Sequence, residues 1–181
     1  MTLDAIGLPP AFAAHADEFP TAGRALDVAC GGGAMAVWLA RRGLEVWGLD
    51  VSPVAVGQAR ELARLAGVAE HCRFDVADLD NGLPPGPPVD VIVCHKFRGR
   101  SLDPTLVARL APGGLLAISA LSEVDAVPGP FRAEPGELRA AFSGLQIIDG
   151  GEGGGETWLL GRSRRPPCDV SVVNPLQRTT T

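Results

Sequence analysis

The most constraining stretch of this chain is Leu26-Asp27-Val28-Ala29-Cys30-Gly31-Gly32-Gly33-Ala34, an apolar run that stops at three adjacent glycines and restarts in helix-forming residues. Glycines reach backbone conformations closed to other residues and let a ligand lie directly against the main chain. The pattern predicts a short buried strand over residues 24–29, a glycine-rich turn, and a largely buried helix over 34–42. Met35, Val37, Trp38, Leu39 and Ala40 fill that helix and Gly43 ends it.

The same alternation continues down the chain. A second strand is expected at 44–50. Ser52 caps a helix that Pro53 opens and Gly67 stops. Strands follow at 72–76 and, after the Pro/Gly-rich connection 81–88, at 89–94, where Val-Asp-Val-Ile-Val-Cys reads as fully buried. A helix over 103–110, a turn at Pro112-Gly113-Gly114 and a strand at 115–121 come next. Residues 123–132 read as irregular, 135–142 as a short helix, and 145–149 and 156–161 as the last two strands. The glycine-rich Gly150–Gly155 between them reads as too long and flexible for a tight hairpin turn. Strands alternating with helices predict an α/β fold: one doubly wound, seven-stranded, mostly parallel sheet with an antiparallel last strand. The expected divisions are an N-terminal helical or lid segment (1–22), a central ligand-binding domain (23–162) and a flexible tail (163–181).

Composition excludes more than it identifies. At 181 residues and 46% apolar, the chain has enough material for one real core and is too apolar for general disorder. Sixteen basic residues, of which Lys96 is the one lysine, face 21 acidic ones, for a net charge of −5. That balance argues against a nucleic-acid-coating protein. No apolar run approaches the ~18–20 residues of a membrane span, and Met1–Phe19 lacks the basic start and apolar stretch of a secretory signal. Cys30, Cys72, Cys94 and Cys168 show no C-x-x-C spacing, and His15, His71 and His95 no ligand spacing. The expectation is a reduced, cytoplasmic protein without a bound metal.

Asp50 ends the second strand. Neighbouring parallel strands carry their C-terminal ends to one sheet edge, the usual ligand crevice of such folds. A carboxylate there can accept both hydroxyls of an adenosine ribose. Gly31-Gly32-Gly33-Ala34-Met35-Ala36 also fits the dinucleotide pattern G-x-G-x-x-A. However, Asp27 just before the glycines would repel a pyrophosphate and suits a cationic sulfonium and aminoacyl ligand. A nicotinamide-dependent reductase would also need a second domain, for which this length leaves little room. The blander reading, that Asp27 and Asp50 only cap the turns that follow them, stays open.

Taken together, these segments resemble the class I, seven-stranded S-adenosylmethionine-dependent methyltransferases over roughly residues 23–161. Leu26–Gly33 is similar to the family's first motif, with Ala29 where the family often has glycine. Leu49-Asp50-Val51-Ser52 resembles the ribose-binding motif and Phe74–Leu79 the adenine segment. Val89–Cys94 resembles the fourth-strand motif, and Leu110–Leu116 the approach to the fifth strand. The small tellurite-resistance-type methyltransferases are the most similar subgroup in size and pattern. The resemblance implies S-adenosylmethionine held by Asp27, Ala29, Gly31, Gly33, Asp50, Val51, Asp78, Leu79 and Cys94, with Asp78 at the adenine amine. Asp78 equally suits a turn-forming role. It also implies a methyl acceptor near the loop Cys94-His95-Lys96-Phe97-Arg98-Gly99-Arg100. There His95 is the candidate catalytic base, and Lys96, Arg98 and Arg100 are candidate contacts to a small, anionic acceptor. Packing for His95 and solvation for the arginines are the competing readings. A binding module without chemistry is the remaining alternative.

Overall fold

The computed structural model describes Leu3 and residues 6–164. The first half of the chain runs α1 (Pro10–Ala13), β1 (Gly23–Val28), α2 (Ala34–Arg41), β2 (Leu44–Asp50), α3 (Pro53–Leu65), β3 (Cys72–Val76) and β4 (Val89–Cys94). The second half runs α4 (Asp103–Arg109), β5 (Leu110–Leu121), α5 (Glu137–Ala141), β6 (Gln146–Gly153) and β7 (Glu156–Arg162). The seven strands form one sheet in the order β3-β2-β1-β4-β5-β7-β6. β7 is antiparallel to both its neighbours, β5 and β6, and every other pair is parallel. The expected doubly wound sheet is therefore present.

Side-chain alternation along the strands builds two cores. Ala25, Val46, Val91, Val93, Ala117 and Leu160 point to the face covered by α2, α3, Phe12 and Phe19. Leu26, Val28, Leu49, Ile92, Leu116 and Leu159 point to the other face, beneath Leu106 of α4 and Leu138 and Phe142 beside α5. By the same alternation Asp27 points with Ala25 into the α2/α3 layer, a carboxylate among apolar neighbours.

The start of the described chain belongs to the first of these cores. Phe12 is fully buried and meets the Trp158 ring edge-on at 5.8 Å. Phe19 does the same to Trp38 at 5.3 Å. His15 contacts Asp149 at 2.9 Å, and Arg162 bonds the carboxylate of Glu18 at 2.8 Å. The N-terminal segment is thus tied to the β6–β7 pair.

Two local expectations are corrected. The glycine-rich run is no loose loop: β6 continues through Gly153, which pairs with Glu156, so only Gly154 and Gly155 remain as the turn. Their φ values of 60° and 78° are those of a two-residue type I′ hairpin, which needs positive φ at both central positions. Pro112-Gly113-Gly114 does not precede β5 but lies within it. Leu110 already pairs with Val89, and the register shifts before Leu115 meets Val91, the signature of a bulge. The irregular stretch 123–132 holds no named helix or strand. The expected tail is docked at its first residue, since Ser163 exchanges backbone hydrogen bonds with Gly113 and Gly114. From residue 165 on, Cys168 included, it lies outside the described residues.

Gly33 presses the glycine turn onto α3. Its φ is +80°, and a Cβ there would sit 2.7 Å from the Cβ of Ala59. Gly33→Ala adds left-handed strain of ~1–2 kcal/mol and overpacking of ~1–3 kcal/mol. A fall in unfolding free energy of about 2–5 kcal/mol is expected, read from denaturant midpoints.

Candidate active site

The sequence order β1–turn–α2 places the glycines at the C-terminal edge of the sheet, between β1 and its two neighbours. Cys30 donates its N–H to Leu49 O at 2.9 Å and Gly33 N–H bonds Cys30 O at 2.9 Å, which curls the turn back over the end of β2. Asp50 then braces it: Oδ2 accepts Gly31 N–H at 2.8 Å and Oδ1 accepts Ser52 N–H at 2.9 Å. The Ser52 side chain in turn caps α3, its Oγ accepting Ala55 N–H at 3.2 Å. Ala29 enters the turn at φ 57°, a left-handed conformation that costs an alanine ~1–2 kcal/mol.

Beside this turn lies a cavity of about 590 Å³, inside the ~300–1,000 Å³ range of small-molecule sites; Ala29, Cys30 and Gly31 line it, while Gly33, Asp50 and Ser52 do not. Asp27, Ala29, Cys30, Gly31, Gly32 and Met35 form one side and His95 another, while residues 6–10 of the N-terminal segment close over it. Gly31 has open space where a Cβ would stand, so the backbone there is accessible to a ligand.

Asp27 is the electrostatic centre. It is 2% exposed, and its Oδ2 has no hydrogen-bond partner. Burial, with a smaller push from the Asp50 charge and against the pull of a backbone hydrogen bond from Ala36, raises its carboxyl to about 7. An unpartnered buried carboxylate oxygen is costly, and a cationic ligand group beside it would remove that cost. The aminoacyl ammonium of S-adenosylmethionine is such a group, so the residues present fit that cofactor.

The remaining expected cofactor residues surround the same edge unequally. Val51 follows Asp50 and is 64% exposed, while Leu79 is buried in the second core. Asp78 is exposed and serves its own turn, accepting Asp80 N–H at 3.0 Å and the Asn81 amide at 2.9 Å. Cys94 ends β4 fully buried, its thiol donating to Phe97 O. Burial, with the Asp27 and Asp50 charges, pushes the Cys30 thiol up, and burial pushes Cys72 up to about 11. These cysteines are free, unreactive thiols.

The loop after β4 brings His95 to the cavity and pairs its cations elsewhere. Arg98's side chain is 2% exposed and makes a fork with Asp103 at 2.7 Å to each oxygen, plus a 2.6 Å bond to Glu137. Arg100 bonds the other Glu137 oxygen at 2.7 Å, and Lys96 pairs with Glu156 at 2.8 Å. None of the three borders the cavity. Each cation has been claimed by a carboxylate from elsewhere in the fold, so the loop presents no unpaired positive charge to a substrate. Four residues at the site went unnamed in the sequence. The apolar Ile6, Leu8 and Pro9 carry no chemical signature, and Ser119, whose Oγ lies 2.7 Å from His95 Nδ1, is hidden within an apolar strand.

Residues 25–114 match the family described as "Methyltransferase domain". The chain carries a class I S-adenosylmethionine-dependent methyltransferase domain. Among curated relatives it is 32% identical over 112 residues to a ubiquinone biosynthesis O-methyltransferase of Xanthomonas axonopodis pv. citri (strain 306), covering 59% of this chain and 46% of that one. It is 36% identical over 130 residues to a ribosomal protein L11 methyltransferase of Pseudomonas aeruginosa (strain LESB58), covering 68% and 39%. The chain thus spans less than half the length of either relative. Its fold is similar to the crystal structure of TehB from Haemophilus influenzae, with a TM-score of 0.72 at 17% identity, covering 90% of this chain and 62% of that one. Among the described residues no helix is long and apolar enough to cross a membrane.

Two outcomes follow from this site. The Asp27 carboxyl ionises near 3.8 when unfolded and near 7 when folded. Between those values the unfolded chain releases a proton that the fold retains, so rising pH destabilises the ligand-free fold until about pH 7 and no further. Three pH units correspond to about 4 kcal/mol. The stability difference between Asp27→Asn and the parent should grow by that order from pH 4 to 7, read from urea midpoints. Separately, Arg98→Ala leaves Asp103 and Glu137 without their buried partner and should cost ~3–5 kcal/mol, measured by the same denaturation, with S-adenosylmethionine affinity unchanged in the folded fraction.

Proposed function

We propose that this protein transfers a methyl group from S-adenosylmethionine directly to a small acceptor bound beside His95. The observation that carries the reading is the unpartnered, buried oxygen of Asp27, a residue that lines the cavity together with a glycine turn braced by Asp50. Bound there, the cofactor supplies a methyl carbon on a sulfonium. A lone pair on the acceptor would receive that carbon, and the chain's own part would be to hold donor and acceptor in line.

Asp27 pairs with the ligand's ammonium. Gly31 and Gly33 keep the main chain low enough for close approach. Asp50 has capacity left after its two backbone bonds, because a carboxylate offers about four acceptor sites, and it takes the ribose hydroxyls. Val51 and Leu79 would flank the adenine, with Asp78 at its amine, and Cys94, buried in the second core at the end of β4, would support the site from below. Alignment supplies much of the rate in such a transfer, since a bound, oriented pair reacts as one molecule. The N-terminal residues 6–10, closing over the cavity, serve as a lid that keeps water out.

The two curated relatives are named for different acceptors, a compound of ubiquinone biosynthesis and ribosomal protein L11. A small acceptor is favoured here because residues 6–10 of the N-terminal segment add a further wall to a cavity of about 590 Å³. The case for an anionic acceptor falls with the paired cations. A cytoplasmic setting agrees with the free cysteines.

Calorimetry with S-adenosylmethionine, its demethylated product and NAD(H) separates this reading from a reductase, and an acceptor panel with methyl-labelled cofactor separates it from a binding module. Asp50→Ala removes a charge-assisted contact of about 1.5–3 kcal/mol, so the dissociation constant for S-adenosylmethionine should rise roughly ten- to a hundredfold. An unchanged constant would reject the ribose assignment.

A further inference from the structure

The serine buried beneath His95 bears on how that imidazole can act. Ser119 lies near the C-terminal end of β5, 3% exposed, on the strand next to β4. Its Oγ stands 2.7 Å from His95 Nδ1 and accepts the Lys96 backbone N–H at 3.2 Å. Lys96 holds that N–H in place from a left-handed conformation, φ 56°. A serine hydroxyl has one proton to give and two lone pairs to fill. With one lone pair taken by Lys96, the hydroxyl proton has His95 Nδ1 as its one acceptor among the described residues. Were Nδ1 protonated instead, it would donate to Ser119 and leave a buried hydroxyl proton unbonded, a cost the alternative arrangement avoids.

We propose that Ser119 is a positioning residue that fixes His95 as the neutral Nε2–H tautomer, so that the imidazole offers the acceptor a hydrogen-bond donor rather than a base. The inference rests on the methyltransferase reading for its consequence, though not for its geometry. His95 borders the cavity with Nε2 on the side of the ring away from Ser119. Burial and the adjacent Lys96 charge, outweighing Glu156, hold the ring below its ordinary value, which keeps it neutral at pH 7. An Nε2 that already bears a proton cannot take one. The acceptor atom therefore arrives with its lone pair free: an ionised oxygen or sulfur, or an unprotonated nitrogen. For an oxygen acceptor, the Nε2–H steadies a neighbouring or reacting oxygen by donating to it. The acceptor class so selected is one whose own acidity, rather than an enzyme base, exposes the nucleophile.

The test uses the ligand-free protein with [15N]histidine and long-range 1H–15N correlation near pH 7.5. The three histidines are assigned by loss of the His95 signals in His95→Gln. The expected His95 pattern is a pyridine-like Nδ1 and a pyrrole-like Nε2. In Ser119→Ala the Nδ1 resonance should move toward the exchange-averaged position of a free imidazole, and Ser119→Thr, which keeps the hydroxyl, should restore the parent pattern. A pyrrole-like Nδ1 in the parent protein would overturn the proposal, and so would a Ser119→Ala spectrum identical to it. If Ser119→Ala fails to fold, the parent and Ser119→Thr spectra still decide the tautomer. No cofactor or acceptor enters this measurement. Its failure is thus distinct from a failure of methyl-donor binding, which calorimetry reads separately.

Discussion

The Asp50 carboxylate accepts one N–H from each of the two turns that leave the C-terminal sheet edge, Gly31 at 2.8 Å and Ser52 at 2.9 Å. Through the first it fixes the glycine turn between β1 and α2, and through the second it sets the start of α3. Everything that makes the edge a site hangs on this double bond. Gly33 can touch Ala59 only if both turns keep their places, and Ala29 is held left-handed only because the turn it enters is tied at its far side. Strain of this kind persists where the surroundings over-determine the backbone. One carboxylate thus has a structural duty toward the chain and spare capacity toward a ligand, so the capping reading and the ribose reading of Asp50 are compatible.

Charge is arranged oppositely in the cavity and in the loop after β4. On the cofactor side Asp27 is left with an unsatisfied oxygen and with Asp50 as a like-charged neighbour. In the loop after β4 every cation is paired with a carboxylate. Glu137, although burial works against it, is held below the usual carboxylate range by Arg100, by the Glu134 N–H and by Arg98. The contrast means that attraction for a ligand is concentrated at one point, the one a positively charged molecule reaches. The Arg98 network serves instead to lock the loop against α4 and α5.

The strands at 44–50, 72–76 and 89–94 were legible to the residue, the last as a dense apolar run of a buried parallel strand and the first two as β-rich stretches that mix apolar and charged residues between turn signals. The glycine turn and its acid were legible because their chemistry is local to two strand ends. Gly150–Gly153 was not, since glycine carries no side-chain pattern and only pairing with β7 makes that segment a strand. The partners of Arg98 and Arg100 were hidden for a different reason. Glu137 lies 39 and 37 positions away, and no spacing rule connects a loop to a helix across such a gap. Ser119 escaped notice because a lone serine in an apolar strand looks like a tolerated interruption. Its meaning appears only when β4 delivers His95 beside it.

The position of β7 has a consequence for how the chain must be made. The last strand in sequence lies inside the sheet, between β5 and β6, and Leu115–Ala120 on its β5 side are almost wholly buried. While the chain is being synthesised, β5 therefore waits with an open, apolar edge, and β6 has nothing to pair with, until residues near 162 have emerged. An exposed edge of this sort recruits other chains. The type I′ turn at Gly154-Gly155 shortens the wait, because it brings β7 back along β6 as soon as it appears and lets the two enter the sheet together. Ribosomes that stall between the end of β5 and the end of β7 would release a chain whose defect is aggregation rather than weak binding.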